Sequence, residues 1–291
     1  MNVIRLMMVM RKVGLFNPSA LLQLTAAIRR SGVNLLALLR FAAGVYGDRA
    51  ALADERETYS YRELFVRCNR LASLFQKQYR LGCGKRVGVL GKNSAALIQT
   101  IVAASATGAD LNLLNPEMST DQLRDMLSHL KPDLIIHDEE YRSKMEQPCC
   151  SCLLSLQQVD QLIHTDISGS FRRSPSGNLV LLTGGTTGKP KQAAHQPSLF
   201  QYLSPFDGFV SRLKIMDARS AYIATPVYHG YGLAVMILCF ALGKKVLVQR
   251  GFDAMQACEL VRKHQIEMMI VVPFMLHKML RADADALASL K

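Results

Sequence analysis

No stretch of this sequence is apolar for long enough to cross a bilayer. A spanning helix needs about 20 predominantly apolar residues, and Arg29, Arg30 and Arg40 interrupt the leucine-rich beginning of the chain. The charge-free run Ser220 to Gly243 is broken by Pro226, His229, Gly230, Gly232 and Gly243 into a strand, a loop and a short buried helix. Met1 to Phe16 lacks a continuous apolar segment and a small-residue cleavage site, which makes it a poor signal peptide. A disulfide framework is missing too. Seven cysteines is an odd number, which suits a reducing cytoplasm. Cys149-Cys150-Ser151-Cys152 lacks the two-residue gap and second ligand pair of a zinc knuckle; it reads as a surface loop. No internal repeat is visible.

Acid is scarce. The chain holds 35 Lys and Arg against 23 Asp and Glu, a formal charge of +12. Residues 1–50 carry Arg5, Arg11, Lys12, Arg29, Arg30, Arg40 and Arg49 against Asp48 alone. Such a balance suits polyanionic ligands, a membrane surface or nucleic acid. No base-reading residues are interleaved with aromatics and no zinc-finger spacing occurs, which argues against nucleic acid. Asn17-Pro18 is a helix start, a capping side chain followed by proline in the first turn. Leu21, Leu24 and Ile28 follow at helical spacing, Ser31-Gly32 breaks the run, and Leu35, Leu38, Leu39, Ala42 and Val45 mark a second helix. These helices either cap the core or rest on a membrane surface.

The most informative segment is Thr183-Gly184-Gly185-Thr186-Thr187-Gly188-Lys189-Pro190-Lys191, directly after the apolar run Leu179-Val180-Leu181-Leu182. Glycines let the backbone turn and present its N–H groups. Three threonine hydroxyls and two lysines complete an anion cradle at a strand end. It is not the common P-loop, which needs four residues between its glycines and a Ser or Thr after the lysine. Here three residues separate Gly184 from Gly188, and Pro190 follows Lys189.

The segment resembles the phosphate loop of the AMP-forming adenylating enzymes, Thr-Ser/Gly-Gly-Thr-Thr-Gly-x-Pro-Lys-Gly, with Gln192 in place of the last glycine. Further segments resemble the family in order along nearly the whole chain. They are Tyr59–Leu64, Thr107–Pro116, Thr225-Pro226-Val227-Tyr228-His229-Gly230-Tyr231-Gly232 and Val271–Leu276. The resemblance is strongest to long-chain fatty acyl-CoA synthetases, the run His137–Tyr141 included.

From about residue 85 the pattern alternates. Strands are expected at 86–90, 110–114, 133–137, 179–183, 220–225, 244–248 and 268–272. Helices are expected near 94–106, 119–130, 197–212, 232–242 and 254–264. This predicts an α/β fold with largely parallel sheets flanked by helices. By resemblance it is the large N-terminal domain of the adenylate-forming fold, truncated. Residues 157–175 read as a flexible surface stretch. The organisation implied is a basic amphipathic region over 1–50 and an incomplete adenylate-forming domain over 51–291.

The resemblance implies activation of a fatty acid by ATP, with Mg2+, to an acyl-adenylate and then transfer to CoA as cosubstrate. Thr183, Gly184, Gly185, Thr186, Thr187, Gly188 and Lys191 would hold the phosphates. Thr186, Lys191 and His229 would act in catalysis, and Tyr228, His229, Tyr231 and Gly232 would line the acyl site. The family's later Tyr-Gly-x-Thr-Glu and Thr-Gly-Asp segments, its hinge and its C-terminal lid domain do not occur in these residues. The chain alone is therefore expected to be inactive and to need a complementing C-terminal polypeptide. Truncation is also expected to uncover sheet edges and core faces. Two alternatives stay open: a non-catalytic nucleotide- or lipid-binding fragment, and a fragment of an amino-acid adenylation domain. The expected location is cytoplasmic, with peripheral membrane contact through residues 1–50.

Overall fold

The computed structural model describes residues 17–145, 152–163, 171–183, 191–195, 215–288 and 290. Residues 184–190, at the centre of the glycine-rich segment, and the helix expected at 197–212 lie outside the described residues.

Asn17 caps α1 (Pro18–Ser31): its side-chain oxygen accepts from the Ser19 N–H at 3.1 Å, and Pro18 occupies the first turn. Asn34 caps α2 (Leu35–Tyr46) through the Ala37 N–H at 2.9 Å. Leu36, Leu39, Ala42 and Ala43 of α2 enter the main core. Tyr46 pins its end, donating a hydrogen bond from its hydroxyl to the Ala241 carbonyl at 2.8 Å. Its ring lies against Gly243, where a Cβ would stand 2.5 Å from Tyr46 Cε1. With φ at +67°, only glycine suits that place.

β1 (Ala50–Ala53) and β2 (Thr58–Ser60) form an antiparallel pair, followed by α3 (Tyr61–Lys77). A capping box opens α3: Ser60 Oγ accepts from the Glu63 N–H at 3.2 Å, and the Glu63 carboxylate accepts from the Ser60 N–H at 2.8 Å. Such caps contribute about 1 kcal/mol. Strand and helix then alternate through β3 (Arg86–Leu90), α4 (Ala95–Ala106), β4 (Asp110–Leu114), α5 (Thr120–Leu130) and β5 (Leu134–His137). A 3₁₀ turn, Glu139–Met145, precedes β6 (Leu153–Ser155), α6 (Leu156–Ile163), β7 (Leu179–Thr183) and β8 (Lys191–His195). The last described part holds β9 (Ser220–Ile223), α7 (Gly230–Ala241), β10 (Lys245–Val248), α8 (Ala254–His264), β11 (Met268–Ile270) and α9 (Pro273–Asp283).

The strands build two sheets, in the orders β6-β5-β3-β4-β7-β8 and β11-β9-β10-β1-β2. Every pairing is parallel except β1 with β2 and β7 with β8, so the fold is α/β as expected, with antiparallel strands only at two edges. α4 is largely apolar and buried almost throughout, Gln99 and Thr100 included, as a helix between packed layers must be. The two sheets are clamped by charge. Arg250, just after β10, donates to Asp138 at 2.8 Å and to Glu140 at 2.8 Å, both after β5. Lys92, after β3, pairs with Glu140 at 3.0 Å.

Of the stretch 157–175, expected to be a flexible surface segment, residues 164–170 lie outside the described residues, and the described parts are tied to the body of the fold. Leu156, Val159 and Ile163 of α6 are buried in the core, and the Arg172 N–H donates to Gln76 Oε1 at 3.0 Å. Polar spacing there reflects the outer face of a short helix. At the other end of the chain, Val272, Phe274, Leu276 and Leu280 stay exposed on and just before α9.

Candidate functional site

β3, β4, β5 and β7 run parallel, so their carboxyl ends share one edge of their sheet. That edge is where open α/β sheets hold ligands, and β7 ends there at Thr183. β7 and β8 are adjacent antiparallel strands in which Thr183 pairs with Lys191. The glycine-rich segment runs between the two. Gly184, Gly185, Thr186, Thr187 and Gly188 lie outside the described residues.

The second group follows β9. Thr225, Val227 and Tyr228 are buried, whereas His229 is exposed and occupies the N-cap position of α7 without capping it. A helix N-terminus left without a side-chain cap favours an anion. The two groups meet through Gly230. A Cβ there would stand 3.1 Å from Leu181 Cδ1, which places the first turn of α7 against β7, two residues before Thr183. Gly232 is forced. A Cβ on it would come within 2.5 Å of the Pro226 carbonyl oxygen, so the loop closes over the helix only with glycine.

The Tyr228 and His229 rings are in tilted contact, their centroids 4.6 Å apart and their planes at 56°. Burial pushes the Tyr228 phenol up to about 12, helped by the negative field of Glu117 and by Tyr141. The neutral phenol is thus the form present at ordinary pH. Tyr231 is 45% exposed beside them. The rest of α7 turns inward, with Val235, Met236, Cys239 and Phe240 in the main core. The acyl candidates Tyr228, His229, Tyr231 and Gly232 therefore cluster at the helix start.

Sequence reasoning missed Asn93. This side chain is 4% exposed, lies after β3 and holds the whole His229 loop. Its Nδ2 donates to the Thr225 carbonyl at 3.0 Å and to Ile223 at 3.4 Å, while its Oδ1 accepts from the Val227 N–H at 2.9 Å. The one signal was an asparagine between an apolar strand and a helix, which looks like ordinary loop chemistry. Thr225 Oγ1, in the same loop, is buried with no hydrogen-bond partner among the described residues, an acceptor and donor left over for a ligand. Among the described residues no group of three or more His, Cys, Asp or Glu could hold a metal ion. No described helix is long and apolar enough to cross a membrane.

Comparison with known proteins bears on the family and the fold. A 2-succinylbenzoate–CoA ligase of Bacillus pumilus is 25% identical over 254 residues, covering 86% of this chain and 51% of the relative. A medium/long-chain-fatty-acid–CoA ligase of Mycobacterium tuberculosis is 26% identical over 231 residues, covering 72% and 38%. The chain thus spans about half the length, or less, of these relatives. Among solved structures, a fatty acyl CoA synthetase of Mycobacterium tuberculosis matches with a TM-score of 0.76 at 18% identity, covering 87% of this chain and 52% of the other. The O-succinylbenzoate coenzyme A synthetase of Bacillus subtilis in complex with AMP matches with a TM-score of 0.73 at 21% identity, covering 87% and 52%. These two similarities concern the fold. The AMP-binding enzyme profile spans residues 39–291, and on that match the chain belongs to the AMP-binding enzyme family.

Proposed function

We propose that this chain supplies the ATP-phosphate and acid-binding half of an AMP-forming acid–thiol ligase whose acid is a fatty acid. The observation that carries it is the juxtaposition of the Thr183–Lys191 strand pair with the His229 turn through Leu181 and Gly230. Joining a carboxylate to the α-phosphate of ATP brings two anions together, so the site must supply positive charge and hydrogen-bond donors. ATP supplies the phosphorus that the carboxylate oxygen attacks, with pyrophosphate leaving.

Lys191 sets a compact charge beside the phosphates, with Thr183, Thr186, Thr187 and the backbone of Gly184, Gly185 and Gly188 as donors. His229 orients the carboxylate at the start of α7. Neutral Tyr228 packs beside it without adding negative charge. Tyr231 and Gly232 complete the acyl wall. Mg2+ would be carried chiefly by the triphosphate and water, offsetting phosphate charge, as is usual for magnesium in nucleotide sites. CoA transfer is assigned to no described residue. The same reading divides the chain into a basic region, 1–50, and a partial adenylate-forming domain, 51–291, in the cytoplasm.

Similarity to 2-succinylbenzoate–CoA ligases favours a second reading, an aromatic acid in place of the fatty acid. Calorimetric titration of the folded chain with ATP, then with fatty and aromatic acids in its presence, tests both. ATP binding followed by fatty-acid binding is expected. Aromatic-acid binding alone would move the assignment to the second reading, and a folded chain that ignores ATP would overturn the ligase reading.

A further inference from the structure

α1 lies on the outside of the molecule with one face unpacked. Ala20, Ala27 and Ser31 are buried on its inner side. Pro18, Leu21, Leu22, Thr25 and Arg29 are exposed, and their spacing places them together on the opposite side. Leu21 is 52% and Leu22 69% exposed. The first turn carries no acid, and the last turn carries Arg29 and Arg30.

A second pair of cations arrives from a distant part of the chain. Arg172 and Arg173 are exposed, and Arg173 donates to the Arg29 carbonyl at 3.3 Å. Gln76 fixes their segment, accepting from the Arg172 N–H at 3.0 Å and donating to the Arg172 carbonyl at 2.7 Å. None of these four arginines has an ion pair among the described residues. Arg40, behind them, is held below its ordinary value by burial and by the charge of Arg30.

We infer that the outer face of α1, together with Arg172 and Arg173, docks on an anionic lipid bilayer. Two exposed leucines beside arginines that have no ion pair among the described residues match what an interfacial helix presents: apolar side chains to enter the headgroup boundary and cations to meet its phosphates. The helix lies across the surface and does not span it. A nucleic acid would use the charge but leave the leucines in water, so the apolar pair selects lipid. The inference is independent of the ligase reading and is read without any turnover.

The test is co-sedimentation of the full chain with phosphatidylcholine vesicles, with and without phosphatidylglycerol. Binding is expected only with the anionic lipid and is expected to fall in high salt. Each arginine at such a surface is worth about fivefold, so R29E/R172E/R173E, which removes three positive charges and adds three negative ones, should lower partitioning by well over about a hundredfold, with an unchanged unfolding midpoint. If that variant does not fold, R29Q/R172Q/R173Q takes its place and should lose less. L21Q/L22Q should weaken binding while leaving its salt dependence in place. Unchanged binding of the arginine variants would overturn the inference, as would equal binding to phosphatidylcholine alone. Release by inorganic pyrophosphate would reveal a free-anion site instead, and preference for duplex DNA over vesicles would reveal a nucleic-acid surface.

Discussion

Thr183 and Lys191 are direct partners across the antiparallel ladder of β7 and β8, and the glycine-rich segment joins them. A loop anchored by paired strands keeps its two ends in register, so the lysine cannot drift from the strand end that carries the threonine. A hydrogen bond to a charged group contributes about 1.5–3 kcal/mol, which corresponds to tenfold or more in affinity. Lys191→Ala should therefore weaken ATP binding at least about tenfold by calorimetry, with an unchanged melting temperature. Undiminished affinity would remove Lys191 from the phosphate site.

Gly232→Ala tests the turn that carries His229. The added methyl would meet backbone, not a flexible side-chain end: Pro226 O at 2.5 Å and Thr225 O at 3.0 Å. Overpacking of this kind costs about 1–3 kcal/mol. The expected result is a lower urea midpoint together with weaker acid binding, because relief of the clash moves Tyr228 and His229. A variant with wild-type stability would mean that the loop shifts without cost.

How much of this was legible in the sequence follows from which forces act locally. The Asn17-Pro18 start and the strand-helix alternation from Arg86 onward were readable, because capping chemistry and apolar runs are properties of neighbouring residues. β1, β2, β6 and β8 escaped notice, since each is short and β2, β6 and β8 are edge strands defined by their partners and not by their own pattern. The His229 turn could be named from its motif. Asn93, more than a hundred residues earlier in the chain, could not be tied to it, because only the packing of two sheets brings its amide to Thr225 and Val227. The meeting of Gly230 with Leu181 was hidden for the same reason.

Asn93→Ala should show how strongly that amide holds the loop. Removing it strands the buried Val227 N–H and Thr225 carbonyl, and each unsatisfied group costs about 1–3 kcal/mol. Denaturant unfolding should report a loss of about 2–4 kcal/mol, larger than for a typical surface substitution. Asn93→Asp is the discriminating companion. It keeps the acceptor for Val227 but turns the donor toward Thr225 into a second acceptor, so most of the loss should remain. Recovery with aspartate would mean that the Thr225 contact is unimportant.

The clamp between the two sheets makes a prediction about acid. Burial pushes the Glu140 carboxyl up, but the hydrogen bonds and charges of Lys92 and Arg250 outweigh it, so its value lies below the ordinary one. A carboxylate held low in the folded state stabilises fully above the unfolded value, about 4.3. That contribution disappears as pH falls through the folded value. Stability should therefore be flat from neutrality to about pH 5 and decline below it. Glu140→Gln should remove part of that decline without changing the neutral plateau greatly, since the group is largely in water. Arg250→Met should lower the plateau instead. It leaves Asp138, whose side chain is 4% exposed, with the Lys92 N–H at 2.8 Å as its remaining side-chain hydrogen bond among the described residues, lowering the plateau by about 2 kcal/mol. It also raises the Glu140 value toward the unfolded one, so the Glu140 part of the acid decline should shrink while its onset stays near about pH 5. If the two variants give the same pH profile, the clamp is surface decoration and the sheets are held by their apolar faces alone.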